Sequence, residues 1–234
     1  MSGSGGSRHK YRLKFIKSGP VRFIGHLDLL SLFNMAVKRA DLPIAYSEGF
    51  NPHQLIAFAL PLSLGYYSNG EYVDIVFTRR IDCGDLVRSL NATLPDGLSI
   101  SVAAALPADS KNGAALVRYS DYRVLLPKGL ELESKIVDNF IAQGSIVTSK
   151  KTKRTVGNVD IKEDIIRFES VQSDDKVTEI SMRLSAGPYR SLRADTVMGA
   201  LFSYAAETYP EHGLTYIRED ILGEDGEALI NHVQ

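Results

Sequence analysis

The residues best equipped for chemistry lie in one stretch, Arg22-Phe23-Ile24-Gly25-His26-Leu27-Asp28-Leu29, followed by Leu42-Pro43-Ile44-Ala45-Tyr46-Ser47-Glu48-Gly49-Phe50-Asn51-Pro52-His53. Rigid punctuation (Gly25, Pro43, Gly49, Pro52) alternates there with groups that ionise, hydrogen-bond or stack (Arg22, His26, Tyr46, Phe50, Asn51, His53). The stretch is too polar for core and reads as a binding surface held by turns. Imidazoles transfer protons and coordinate metals near neutral pH, so His26 and His53 are candidates for acid and base in RNA cleavage, with Tyr46 as an accessory. His26 falls at the expected start of a helix with Asp28 in its first turn, where backbone N–H groups attract anions. No metal-ligand spacing is present. Glu71 and Asp74, three apart on an expected strand, point to opposite faces and make no carboxylate pair.

Charge suggests a further partner. The chain carries a net charge of only −1, yet residues 1–40 hold eight basic side chains, Lys38 and Arg39 among them, against Asp28 alone, a local +7. A second basic cluster, Lys150, Lys151, Lys153 and Arg154, sits in a polar segment. Either cluster suits phosphate contacts, and either also suits an ordinary solvated face. Tyr66 and Tyr67, after Gly65, offer aromatic faces for base stacking or a partly buried hairpin. The sequence contains no GxxxxGK[ST], GxSxG, HExxH or strand-bounded GxGxxG motif. Cys83, the single cysteine, rules out a self-contained cysteine-ligated zinc or iron–sulfur site. No cofactor is expected.

The elements that position these residues follow from apolar period and turn residues. Tyr11 to Lys17 alternates as a half-buried strand does, and Leu29, Leu32, Phe33, Ala36, Val37 and Ala40 recur on one face of a helix that Pro43 stops. Strands at Leu55–Leu60 and Glu71–Phe77 flank a turn at Gly65–Gly70, followed by a helix at Asp82–Leu94 and a strand at Leu98–Ala104. This βαββαβ order is the ferredoxin-like arrangement. The second half repeats it approximately, with strands near 122–126, 145–150, 161–171, 177–185 and 214–222 and helices near 130–143 and 194–208. The expectation is an α+β chain of two tandem ferredoxin-like halves, antiparallel sheets with helices on one face. Its divisions are a flexible Gly/Ser-rich leader at 1–10, an N-terminal domain at 11–106, a linker at 107–118 and a C-terminal domain at 119–234. No apolar run approaches the roughly 18 residues of a membrane span, and the chain start lacks a secretory apolar stretch, so a cytoplasmic protein is expected.

The string from Arg22 through Lys38-Arg39-Ala40-Asp41-Leu42 and the His53 segment to Phe58-Ala59-Leu60-Pro61-Leu62 resembles the radical-SAM-linked family, a domain of unknown function found beside, or fused to, B12-binding radical SAM proteins. The resemblance is strong over residues 11–106. It implies a bacterial accessory protein with a radical SAM partner and no activity of its own to transfer. Gly25 stands where that family commonly has serine, and Gln54-Leu55 stand where a Pro-Lys pair is common, which removes a basic residue there. Tandem ferredoxin-like domains with a histidine near the first helix also occur in CRISPR RNA-processing endonucleases, an architectural similarity only. The leading expectation is therefore a noncatalytic, RNA-binding or substrate-presenting accessory protein. Its contact surface would be Arg22, His26, Asp28, Lys38, Arg39, Tyr46, Asn51 and His53, with Lys150, Lys151, Lys153 and Arg154. The alternatives are a metal-independent RNA endonuclease using His26 and a pure protein-interaction module.

Overall fold

A computed structural model describes residues 8–130, 132–151, 156–173, 176–207 and 213–232. Residues 1–7 of the expected leader, with Lys153 and Arg154, lie outside these. The chain is mixed α+β and divides into two units, Met1–Val117 with Asp220–Gln234, and Arg118–Glu219.

In the first unit, β1 (His9–Lys17) leads through a single helical turn at Gly19–Phe23 into α1 (His26–Arg39). Next come β2 (Ile56–Phe58), β3 (Tyr67–Phe77), α2 (Cys83–Asn91), β4 (Leu98–Leu106) and a short α3 (Gly113–Leu116) within the expected linker. The strand order is β4-β1-β3 with β2 on β3, each of these pairs antiparallel. Alternation divides β1 and β3 between two faces. Tyr11, Leu13 and Phe15 with Val73, Ile75 and Phe77 pack against Leu29, Phe33, Ala36 and Val37 of α1 and Leu86 and Leu90 of α2. The aromatic edges interlock there, with Phe33 perpendicular to Phe58 at 5.2 Å between centroids. α2 starts on Asp82, whose carboxylate accepts from the N–H groups of Gly84 and Asp85. Gly97, at φ +90°, turns the chain into β4 so close to Ser18 that a Cβ would lie 2.5 Å from its carbonyl oxygen, so glycine is required.

One sequence expectation fails here. The turn at Gly65–Gly70 is shorter than expected, because β3 already begins at Tyr67 and buries Ser68 and Gly70. Polar residues at this strand end look like a turn by type, but the strand continues because its backbone pairs with β1, Ser68 opposite Lys17.

The other face of β1 and β3 is polar and nevertheless buried. Arg12 and Asp74 stand directly opposite in the register, and both are almost fully covered. The guanidinium grips the carboxylate with two bonds, Nε to Oδ1 at 2.8 Å and Nη2 to Oδ2 at 3.1 Å. Its remaining N–H groups donate to the carbonyls of Lys111 (3.1 Å), Leu229 (3.1 Å) and His232 (3.3 Å). Asp74 also accepts from the Gly113 N–H at 2.8 Å. A Cβ on Gly113 would stand 3.2 Å from Ala59 Cβ and 3.5 Å from Arg12 Nε, a tight fit in which Ala59 would have to give way by a few tenths of an ångström. Beside this hub, Lys14 pairs with Asp220 at 2.6 Å and the Tyr72 hydroxyl donates to the other oxygen of Asp220 at 2.6 Å.

The second unit comprises β5 (Tyr119–Leu125), α4 (Ser134–Ala142), a separate two-stranded hairpin of β6 (Val147–Lys151) and β7 (Val156–Asp160), then β8 (Ile165–Ser173), β9 (Lys176–Ser185), α5 (Ala194–Tyr204) and β10 (Thr215–Leu222). Its strand order is β10-β5-β9-β8, and the last residues of β10, Asp220–Leu222, belong to the first unit. Val124, Val137, Phe140, Ile180, Met182, Leu201 and Phe202 are buried in it, and Asp121 and Arg183 pair bidentately at 2.7 and 2.9 Å. Among the described residues no helix is long and apolar enough to cross a membrane.

Replacing Asp74 by alanine strands a buried guanidinium, which generally costs about 3–5 kcal/mol. Urea unfolding of D74A is expected to show a loss of that order. A second expectation concerns alkaline pH. Burial, then the bond to Asp220 and the charge of that carboxylate, raise the Tyr72 pKa well above the ordinary phenol value. A raised folded-state pKa gives stability that is full below about pH 10 and is lost as pH rises beyond it. Wild type should therefore lose stability relative to Tyr72→Phe above that pH in denaturation curves measured side by side.

Candidate functional site

The start of α1 and the segment before β3 build one corner of the first unit. The Gly65 N–H donates to the Arg22 carbonyl at 2.9 Å, which holds 64–67 against 22–23. The Arg22 guanidinium lies over two rings at once, 4.6 Å from the centroids of both Phe23 and Tyr67, and donates to the Tyr67 hydroxyl. Three large apolar side chains of these segments stand in the open, Phe23 of the stack itself at 62%, Leu27 in the first turn of α1 at 75% and Leu64 next to Gly65 at 63% exposure.

His26 is the first residue of α1, exposed, with its ring edge-on to Phe58 at 5.4 Å. It lines a cavity of about 10 Å³ with Lys17, Leu29, Phe58, Leu60, Leu62 and Glu71. That is room for about one water molecule. Lys17 and Glu71 are both buried, and the Lys17 ammonium donates to the Ile24 carbonyl at 2.8 Å. Sequence reading passed over this pair, although the signal was present. Lys17 continues the alternation of Leu13 and Phe15 in the sequence, and Glu71 that of Val73 and Ile75, which puts both on the helix side.

Asp28 bends back over the helix start, its Oδ2 3.6 Å from the point a Cβ on Gly25 would occupy. The negative charge favoured at that end of α1 is thus supplied by the chain itself. Lys38 and Arg39 occupy the last turn of the same 14-residue helix. At 1.5 Å per residue they stand roughly 20 Å from His26. They oppose the negative end of the helix dipole there.

Tyr46, Asn51 and His53 belong to a loop closed on itself. The Ser47 N–H donates to the His53 carbonyl at 2.8 Å, the His53 N–H donates to Ser47 Oγ at 3.0 Å, and Ser47 Oγ lies 2.9 Å from His53 Nδ1. Gly49 takes φ +110° at the tip, and Phe50 beside it is fully exposed. Gln54 ties the loop base to α1 through the Asn34 carbonyl at 3.5 Å. His26 and His53 therefore have separate partners, Phe58 and Ser47, and no contact joins them among the described residues. The sequence-derived set thus falls into the corner (Arg22, His26, Asp28), the far turn of α1 (Lys38, Arg39) and the loop (Tyr46, Asn51, His53). Lys150 and Lys151 lie at the end of β6 in the other unit. Among the described residues no group of three or more His, Cys, Asp or Glu is placed to hold a metal ion.

The family model DUF2344, described as an uncharacterized protein conserved in bacteria, matches residues 10–194. The chain belongs to this family. The family's description carries no activity and no radical SAM linkage. Comparison with curated proteins finds no match. Among solved structures the chain is similar to one from a Cbf5-Nop10-Gar1 complex, at 12% identity and TM-score 0.45, over 92% of this chain and 50% of that one. It is also similar to an unknown protein from Galdieria sulphuraria, at 13% identity and TM-score 0.27, over 93% of this chain and 99% of that one. The chain thus spans half the length of the first, and neither likeness is close enough to bear on what this DUF2344 member does.

Proposed function

We propose that this DUF2344 member is a noncatalytic accessory protein of the bacterial cytoplasm that binds RNA at the Arg22–His26 corner and acts with a radical SAM modification enzyme. The single observation behind the RNA reading is the stack of Phe23, Arg22 and Tyr67 beside the exposed Leu27 and Leu64. An aromatic ring with one open face, backed by a guanidinium, offers stacking to an unpaired base, and such stacking is tolerant of sequence. The radical SAM partner comes from the resemblance of the motif between Arg22 and Leu62. We read both units as ferredoxin-like, supported by the orders β4-β1-β3-β2 and β10-β5-β9-β8, each with two helices in the places that fold requires, the second carrying the β6–β7 hairpin as an insertion.

A second reading has one observation of its own. His26 stands exposed at the first position of α1, where an imidazole can exchange a proton with an RNA 2′-hydroxyl.

Native and denaturing gels of RNA incubated with the purified chain distinguish the two. Salt-sensitive retardation without fragments is expected, with Phe23→Ala weakening it roughly tenfold or more, the scale of one lost stacking contact. Retention of full affinity by both Phe23→Ala and Arg22→Ala would reject the corner as the RNA site. Discrete fragments that vanish in His26→Ala would establish cleavage instead.

A further inference from the structure

The two units share a turn that the RNA reading uses only once. In the first, β1 ends at Lys17, Gly19-Pro20-Val21-Arg22 follows, and α1 starts at His26. In the second, β9 ends at Ser185, Gly187-Pro188-Tyr189-Arg190 follows, and α5 starts at Ala194. Strand end, glycine, proline, arginine and helix start keep the same spacing in both. The two glycines take positive φ, +57° and +107°, where a side chain is disfavoured. The first core residues of the two helices also coincide, Leu29 with Val197 and Phe33 with Leu201. Residue type, backbone conformation and burial agree, so one device is used twice.

The copies differ at one telling position. Val21 is buried in the first unit, whereas Tyr189, which takes its place in the second, is 86% exposed. The Arg118 guanidinium lies over the tyrosine ring, 5.7 Å from its centroid. Backbone bonds fix the segment that carries the ring. The Ala186 N–H donates to the Arg118 carbonyl at 2.8 Å and the Leu192 N–H to the Ser185 carbonyl at 2.9 Å, with the Leu192 side chain buried. Arg190 braces the turn from outside through Glu163 at 3.2 Å and Asp164 at 2.7 Å. A ring held on such a support loses little conformational freedom when a ligand stacks on it.

Each unit therefore presents, between a strand and a helix, an open aromatic ring with a guanidinium against it, Phe23 with Arg22 in one and Tyr189 with Arg118 in the other. We propose that Tyr189 and Arg118 form a second stacking site for an unpaired RNA base, carried by the second unit. Stacking accepts any base, because every base has a π-face, and guanidinium groups nearby suit the phosphates that flank it. Residues 186–193 include Arg190 and Arg193 and no carboxylate. The pairs Arg190–Glu163 and Arg193–Asp195 lie at the surface, where such contacts are worth little and can be exchanged for a phosphate. The inference rests on the reading of the chain as RNA-binding, but not on the corner at Arg22.

The chain contains no tryptophan, so Tyr189→Trp places a single indole at the site. The test is titration of that full-length variant with oligouridine, reading indole emission, beside the affinity of labelled oligouridine for wild type, Phe23→Ala and Tyr189→Ala. Saturable quenching of the indole is expected, and it should persist when Phe23→Ala is added. Tyr189→Ala should weaken binding about tenfold, the scale of one lost stacked base, without lowering the melting temperature, since the ring is exposed. Full affinity in Tyr189→Ala with an unquenched indole would overturn the inference, while a loss in Phe23→Ala alone would leave the corner standing. A loss confined to Tyr189→Ala would uphold this site and reject the corner. Wild type that binds no oligouridine would overturn both. Self-association of the chain that Tyr189→Ala abolishes would assign the ring to a protein contact and overturn the proposed site.

Discussion

A guanidinium buried in the middle of a sheet face is the constraint on which the first unit depends. Arg12 is fully enclosed, and enclosing a charge is tolerable only when it is paired and its N–H groups are all spoken for. Asp74 supplies the pair, directly across β1 and β3. The three carbonyls that complete the set come from Lys111, Leu229 and His232, so satisfying one side chain gathers two segments more than a hundred residues apart. The helix face of the same sheet is an ordinary aromatic and aliphatic core, which tolerates repacking. The Arg12 face does not, because each bond there meets a specific atom.

β1 and β3 are held in register at their middle by Arg12 and Asp74, and a register shift between Phe15 and Lys17 then sets Lys17 opposite Ser68. The helix start at His26 and the Arg22 stack are built on that end. The stack leaves Phe23, Leu27 and Leu64 open to solvent, a cost that a docking role would offset.

Much of this fold was legible in the sequence. The alternation of Tyr11, Leu13 and Phe15 and the helical recurrence from Leu29 to Val37 located β1 and α1 because burying one face imposes those periods. His26 falls at the helix start as its neighbours imply. The strand through Tyr67–Gly70 was hidden because Ser, Asn and Gly favour turns locally and only pairing with β1 overrides them. The Arg12 hub was hidden for a different reason. An arginine on an alternating strand reads as the solvent face, and nothing local reveals that residues 217 and 220 positions later will cover it. Phe23 and Phe50 are exposed despite their residue type, in a stretch whose surrounding polar and turn residues already read as surface.

The most direct test of this account is native-state hydrogen exchange at the Gly113 amide. This backbone N–H donates to Asp74, from the first residue of a four-residue helix. If the hub organises the unit, this proton should exchange only through global unfolding, its protection tracking the free energy measured by denaturation and matching the amides of β1. Exchange through a local opening, at rates typical of surface turns while β1 stays protected, would show that 110–113 is merely laid over the sheet and that the ionic hub does not hold it.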